Sequence, residues 1–421
     1  MRILHIVTAF PRDESDVITP WLVELLRRLR ARGYDAEVFT SAYRGTRPAD
    51  FQGIPVHRFR YFFRRWEDLT HDEAAPDRVR RSWRYRITAM CYVAFGAVAI
   101  WRLCRRRRYE VIQVHWPLPH ALFGWSARAA SGARSVLTFY GVELRLAATG
   151  PRPLRWFLAQ AARRADRVVA ISRYTAAEVQ RLGRQDVSVI PYGVGVPPAG
   201  DPTSPRDPVG ERPFTAVFVG RLVPRKGVDV LLQALRKMSR TPSRAVVVGT
   251  GPEAERLRAL AVQLEVGDRV RFVGRVSDRE LGNIYRLADA VVLPAVVDAR
   301  SDTEGLGVVL LEGMQYGVPA VGSEVGGIPD IVEHEASGLL VRPGDPDALA
   351  AALTRLAHDP ALARRLGEAG RERVRRVFGW PAIVERWATL YDSLAHSPPG
   401  SNTVPTPDSA PLPAPSAPPH G

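Results

Sequence analysis

The chain of 421 residues has only two cysteines, Cys91 and Cys104, with no C-x-x-C spacing. That excludes a disulfide framework and a cysteine-built zinc site, and it is compatible with a reducing compartment. No His/Asp/Glu cluster has metal-ligand spacing, and His115 and His120 read as isolated residues on a loop. No apolar stretch with a small-residue cleavage site follows the start, so Met1 to Thr8 reads as a first β-strand, not a signal peptide. Lysine is nearly absent, occurring at positions 226 and 237 only, so the basic charge is arginine. It is also uneven: residues 1–200 hold 33 arginines against 17 acidic residues, and the rest holds 26 basic against 27 acidic. Such a surplus fits an anionic membrane surface or nucleic acid, and equally an arginine-rich composition with no partner. Within it, Ile87–Trp101 is a fifteen-residue run without charge, flanked by Arg84, Arg86, Arg102 and Arg105–Arg108. That is short of the ~20 residues needed to span a bilayer. It suits a core helix or an interfacial helix with its arginines at the headgroups.

What is present is concentrated in Glu304-Gly305-Leu306-Gly307-Val308-Val309-Leu310-Leu311-Glu312. Gly307 to Tyr316 is apolar at helical spacing and stops at Gly317, with Pro319 just beyond. The two glycines therefore lie at or just before a helix N-terminus, where unpaired N–H groups and the helix dipole favour phosphate. Glu304 sits at the mouth of that anion site, and Glu312 lies about 12 Å along the axis at ~1.5 Å rise per residue. Carboxylates flanking a phosphate suit hydroxyl groups, with sugar at one end and ribose at the other. A nucleotide-sugar has that layout; a surface helix with two ordinary glutamates is the plainer alternative.

Three further segments repeat strand, glycine turn, helix: Val217 to Gly227, Ala245 to Glu253, and Arg271 to Val276 followed by Tyr285 to Pro294. This is the pattern of a doubly wound α/β domain with its loops on one edge. Arg221 and Lys226 can neutralise a diphosphate there without a metal, with Arg225 as a solvated neighbour. The first half reads as a second unit of the same kind. Thr19 caps a helix that starts at Pro20 and runs to Gly33, and strands follow at 35–40, 56–59, 111–114, 135–139 and 167–171. Thr175 with Glu178 forms a capping-box signal for a later helix. Pro197 to Pro213 reads as a linker, and the Ser/Pro/Ala-rich end as a disordered tail.

The motifs G-R-L-V-x-x-K-G, V-G-x-G-P, F-x-G-x-V-x-x-x-x-L-x-x-x-Y-x-x-A-D and E-G-L-G-x-x-x-x-E occur here in that order. They resemble the retaining glycosyltransferases of family 4 (glycosyl transferases group 1), from Met1 to about Leu394. The resemblance implies the α/β GT-B fold, two Rossmann-like doubly wound domains facing across a cleft, with a last helix crossing back to the first. The boundaries are then 1–196 for an acceptor-side domain, 197–212 for the linker, 213–378 for a nucleotide-sugar domain, 379–395 for the crossover helix and 396–421 for the tail. By resemblance Arg221 and Lys226 hold the donor diphosphate, Glu312 holds the ribose, and Glu304 with Gly305, Leu306, Gly307 and Val308 meets the transferred sugar and phosphates. Gly220, Gly249 and Gly251 border the donor, and Arg275 and Val276 face the base. Glu304, Arg221 and Lys226 are the catalytic candidates.

The implied reaction is hexosyl transfer from a nucleoside-diphosphate sugar with retention, needing no cofactor and no metal. The implied acceptor is a glycan or lipid-linked intermediate at the inner face of a cytoplasmic membrane, or else a soluble small molecule. Three places depart from the family pattern, the first being the loop Phe10 to Pro20, which lacks the glycine pair that many members carry there. Thr138-Phe139-Tyr140-Gly141 puts Tyr140 where many members have histidine, and Tyr192 replaces an expected asparagine before Gly193. Tyr140 and Gly141 are candidate cleft residues, and the role of Tyr140 stays open. Two other classes are weaker. Gly249 to Ala254 matches a dinucleotide fingerprint, with Asp268 beyond it, but no hydride-transfer partner is evident. Nucleic-acid binding lacks a reading motif and aromatic residues interleaved with the basic runs.

Overall fold

The computed structural model describes residues 1–14, 16, 18–71, 75–194 and 212–396. Apart from Arg212 and His396, the expected linker and tail lie outside the described residues. The chain forms two compact units: residues up to 194 together with those from Ile383 on, and residues 212 to Ala382.

In the first unit, short runs rich in Val, Ile and Leu form an eight-stranded sheet. Its strands are β1 (Arg2–Ile6), β2 (Asp35–Ser41), β3 (Ala49–Phe51), β4 (Ile54–Phe59), β5 (Val111–His115), β6 (Arg134–Phe139), β7 (Arg167–Ala170) and β8 (Ser188–Val189). The order is β3-β4-β2-β1-β5-β6-β7-β8, parallel throughout except for β3 against β4. The strands are apolar on both faces because helices cover both faces of such a sheet. The direction of winding reverses between β1 and β5.

The second unit repeats the scheme with six parallel strands: β9 (Phe214–Val219), β10 (Ser243–Val248), β11 (Val270–Gly274), β12 (Ala290–Leu293), β13 (Ala320–Ser323) and β14 (Gly338–Val341). Their order, β11-β10-β9-β12-β13-β14, reverses between β9 and β12. In sheets of this class ligands bind outside the carboxyl ends of the strands at that reversal.

The apolar run in the first unit lies in a helix longer than the run itself, Trp83–Arg106, capped by the Ser82 side chain on the N–H of Arg84. Arginine is a good helix former, so the flanking arginines extend the helix to 24 residues. The helix is thus longer than the fifteen-residue run, which itself stays charge-free only from Ile87 to Trp101. It is the one helix among the described residues with the length and apolarity to cross a membrane. One face is a stripe at four-residue spacing, Thr88, Tyr92, Gly96, Ile100 and Cys104, all buried. A Cβ on Gly96 would lie 2.3 Å from the Phe123 ring, so glycine is what permits this close packing. The other face is apolar too, yet exposed: Trp83 69 %, Met90 64 %, Phe95 54 %, Val98 45 % and Trp101 45 %.

The last helix, Trp380–His396, passes from the second unit into the first, which contains it from Ile383 on. There Tyr391 is fully buried and donates to Gln113 of β5 (3.3 Å), Tyr34 donates to Asp392 (2.8 Å), and Arg32 pairs with Glu385 (2.6 Å). Two expected caps are corrected. Thr19 adopts a left-handed backbone (φ 48°) and its side chain caps nothing in the helix Pro20–Ala31. The helix Arg173–Gln180 is capped by Ser172, which accepts from the N–H of Thr175, so Thr175 lies inside the helix.

Candidate active site

In the second unit the loops after β9, β10, β11 and β12, at the carboxyl edge of the sheet, carry the donor-site candidates except Val308 and Glu312, which lie in the helix that follows the last loop. Backbone bonds lace three of them together: Gly220 N–H to Val248 O (3.0 Å), Leu222 N–H to Thr250 O (3.0 Å) and Gly249 N–H to Gly274 O (2.7 Å). Across the reversal point the β9 loop meets the β12 loop. Lys226 is buried, and its Nζ sits 2.5 Å from Oε2 of Glu304. The resemblance directs Lys226 to the diphosphate and Glu304 to the transferred sugar and phosphates; in the fold the two side chains form an ion pair. Arg225 is not the solvated neighbour expected. It reaches the same Glu304 oxygen (3.2 Å), the Thr303 carbonyl (3.4 Å) and Asp302 (3.3 Å). Burial would raise the Glu304 carboxyl, but Lys226, Arg225 and the Leu306 N–H together hold it below the ordinary carboxylate range. Arg221 is exposed, and its guanidinium has no ion-pair or hydrogen-bond partner among the described residues. It is therefore a cation free to meet an incoming anion.

Glu304 to Gly307 form a tight loop that delivers the helix Val308–Gln315, with Gly307 at its N-cap in a left-handed conformation (φ 96°). A second loop presses against it. The N–H of Gly327 donates to Glu304 O (3.0 Å), and a Cβ on Gly326 or Gly327 would fall 2.0 Å from Glu304 O or 2.2 Å from Gly305 O. Glycines here let two backbones touch and fix the helix start. Glu312 lies further along that helix and accepts a hydrogen bond from the Tyr285 hydroxyl (2.9 Å). Burial raises its carboxyl, the Tyr285 bond offsets part of this, and nearby Asp278 adds to it. Tyr285 and Arg225 are thus site residues to which the sequence gave no role. The Asp289 of the same motif is structural: it grips Arg212 by two bonds (2.7 and 2.8 Å) and the N–H of Thr215 (2.8 Å). Arg275 and Val276 line a cavity of about 620 Å³ over β9–β11, with Val217, Val246, Val273 and Ile284 as apolar wall.

The first unit has an equivalent point, between β1 and β5, and its contents are different. His115 and His120 are not isolated loop residues. His115 ends β5 and is fully buried; its Nε2 lies 3.1 Å from Nδ1 of His5 on β1, and its Nδ1 lies 2.6 Å from the Tyr140 hydroxyl. His120 Nδ1 must donate to the carbonyls of His115 and Trp116 (3.0 Å each), so its Nε2 accepts from Tyr92 (2.9 Å). Around Tyr140 stand Trp116, stacked at 4.5 Å, with Trp21 at 5.6 Å and Tyr192 at 5.8 Å. Gly141, with φ 96°, caps the helix Val142–Thr149, whose Glu143 accepts from the N–H of Tyr140 (2.6 Å).

Two doubly wound units, with a lysine–glutamate pair and a helix N-terminus at the reversal point of the second, define a glycosyltransferase of the GT-B type. The chain belongs to glycosyltransferase family 4: the family model "Glycosyltransferase Family 4" matches residues 20–196 and "Glycosyl transferases group 1" matches 203–373. It is 32 % identical over 363 residues to the GDP-mannose-dependent alpha-(1-6)-phosphatidylinositol monomannoside mannosyltransferase of Mycobacterium tuberculosis, covering 82 % of this chain and 90 % of that one. It is 31 % identical over 396 residues to D-inositol 3-phosphate glycosyltransferase 2 of Catenulispora acidiphila, covering 88 % of each. Among solved structures it resembles sucrose-phosphate synthase of Thermosynechococcus elongatus (TM-score 0.73, 26 % identity, 94 % of this chain and 99 % of that one). HepE of Anabaena in complex with UDP shares the fold (TM-score 0.70, 19 % identity, 93 % and 100 %).

Proposed function

We propose that the protein transfers a hexosyl group from a nucleoside-diphosphate sugar to a lipid-linked or polysaccharide acceptor, with retention of configuration and without a metal. The observation that carries this is the Lys226–Glu304 pair at the reversal point, with exposed Arg221 beside it and the helix Val308–Gln315 starting from the same loop. The leaving diphosphate gains negative charge as the glycosidic bond breaks. Fixed cations and a helix N-terminus stabilise that charge where it develops. Retention rests on the family resemblance. Glu312 supplies an acceptor for ribose hydroxyls, and the apolar wall beside Arg275 and Val276 suits a nucleobase. The mannosyltransferase relative favours GDP-mannose among donors.

The exposed face of the helix Trp83–Arg106 supports an acceptor embedded in an anionic membrane at its cytoplasmic side. Aromatic and aliphatic side chains can enter the interface while Arg102, Arg105, Arg106 and Arg108 meet the headgroups, at roughly 1 kcal/mol per arginine, Arg107 being paired with Glu37. The inositol-phosphate relatives favour the second reading, a soluble phosphorylated acceptor.

Thermal shift with UDP, GDP, UDP-glucose and GDP-mannose tests the donor. Saturation at 100 Kd adds about 2.7 kcal/mol, and no shift with any of them removes the donor assignment. Turnover abolished by EDTA, or a product of inverted anomeric configuration, rejects the mechanism. For the acceptor, the protein should sediment with anionic but not neutral vesicles, and less so in salt or after replacing Arg105–Arg108 by glutamine. Protein left in the supernatant at low salt decides for the soluble acceptor.

A further inference from the structure

Glu304 carries one negative charge, and two cations meet it on a single oxygen. Lys226 Nζ lies 2.5 Å and Arg225 Nη1 lies 3.2 Å from the same Oε2. Glu304 and Lys226 are both buried, so neither charge is tolerated without a partner in place. One cation is enough to neutralise one carboxylate, and two on one oxygen repel each other. A clasp between the loops after β9 and β12 would be complete with Asp302 and the Thr303 carbonyl, and it would leave Glu304 to Lys226 alone.

The two cations are held differently. Arg225 is fixed on several sides: its Nε pairs with Asp302 (3.3 Å), its Nη1 also donates to Thr303 O (3.4 Å), and its own carbonyl accepts from the Val296 N–H (2.9 Å). These contacts keep the guanidinium beside Glu304 whether or not Lys226 is there. The Lys226 ammonium has three donors, and Glu304 is its one side-chain partner among the described residues. Its side chain is still 11 % exposed, so the unused donors are not sealed off.

We propose that Arg225 is a positioning residue that takes over the charge of Glu304, so that the Lys226 ammonium can turn to the diphosphate of the donor. No proton is transferred: Glu304 stays ionised throughout and only changes its nearest cation. The groups that face its carboxyl are Lys226 and Arg225 from the loop after β9, Asp302 beyond Arg225, and the N–H of Leu306. The loop of Gly326 and Gly327 meets Glu304 through backbone. The proposal rests on the nucleotide-sugar reading for the identity of the anion that Lys226 turns to.

The first measurement needs no substrate. In the full chain with 13C-labelled glutamate, the Glu304 carboxyl is assigned by its loss in Glu304→Gln. It should read as ionised at neutral pH in wild type and also in Lys226→Met, where Arg225 holds it alone. It should read as protonated when Lys226→Met is combined with Arg225→Gln, because a buried carboxyl without a counter-charge titrates as high as about 8–9. A protonated Glu304 in Lys226→Met, or an ionised one in the double variant, overturns the proposal. The second measurement is the affinity for UDP and GDP, and it decides alone where a variant lacking Lys226 does not fold. Arg225→Gln keeps a hydrogen-bond donor without the charge and should weaken binding roughly tenfold. Arg225→Lys keeps the charge without the fork and should bind within about threefold of wild type. Equal loss in both variants would make Arg225 a clasp between loops and nothing more, and wild-type affinity in Arg225→Gln rejects the proposal outright. A wild type that binds neither nucleotide removes the donor assignment, and the carboxyl state in Lys226→Met then still decides whether Arg225 can hold Glu304 by itself.

Discussion

Between β9 and β12 the second unit buries a lysine against a glutamate, with an arginine on the same oxygen. Between β1 and β5 the first unit buries two neutral imidazoles against a phenol. Both places are fixed by the same topology, the reversal of winding in a parallel sheet. The contents differ because the energetics of burial differ. A buried charge is tolerated only with its counter-charge already in place. A neutral row needs no counter-charge, but its protons must be ordered. The fold thus decides where each cluster lies, and the side chains decide whether it is charged or neutral.

The charged half breaks most severely at its lysine. Lys226→Ala should lower kcat/KM by about 10²–10³-fold, the loss typical of one fixed group facing transition-state charge. It should also lower Tm, because Glu304 keeps only Arg225 as a cationic partner. Wild-type kcat/KM in this variant would show that the pair is structural.

The two glutamates then separate by kinetic signature, each about tenfold for the loss of one hydrogen-bonded group. Glu312→Ala should raise the donor KM at nearly constant kcat. Glu304→Ala should lower kcat and leave nucleotide affinity intact or tighter, since it frees Lys226 and Arg225 for phosphate. The same small effect from both substitutions removes the distinction.

The neutral half is probed by pH, with a smaller effect. Burial pushes the Glu143 carboxyl up to about 7, and its Oε2 has no partner among the described residues. A raised folded value means that folding favours the protonated acid. Its stabilisation is complete below the ordinary value of 4.5 and is lost as pH climbs through about 7. Glu143→Gln should therefore gain stability over wild type between pH 5 and pH 8, by about 2–4 °C in Tm per kcal/mol. A difference in Tm that is the same at both pH values would mean that Glu143 is ionised in the fold and the first unit's site is not neutral.

The strand, turn and helix order of the second unit was legible in the sequence because its parts are local. Each strand, glycine turn and helix start lies within a dozen residues, and Glu304, Gly307 and Glu312 share one segment. The neutral row was not legible, because His5 and His115 are 110 residues apart and meet only when β1 pairs with β5. Arg225 was misjudged for a related reason: the pattern of a basic turn does not tell which of two adjacent cations faces inward. At Thr19 and Thr175 the residue types suited a cap, but neighbouring backbone geometry placed the helix starts elsewhere. The helix Trp83–Arg106 was read too short because charge was taken as its boundary, whereas arginine extends a helix and ends only its apolar surface.

The position of Tyr391 has a consequence for how the protein is made. Its side chain is sealed inside the first unit against Gln113, 278 residues earlier. The ribosome delivers β1 to β8 long before it delivers Tyr391, so the part of the molecule that is synthesised first is finished last. Until then the surface that Trp387, Tyr391 and Leu394 cover stays open to water. A chain cut before Ile383 would still carry every donor-site candidate, yet its N-terminal half would remain in that nascent, uncovered condition.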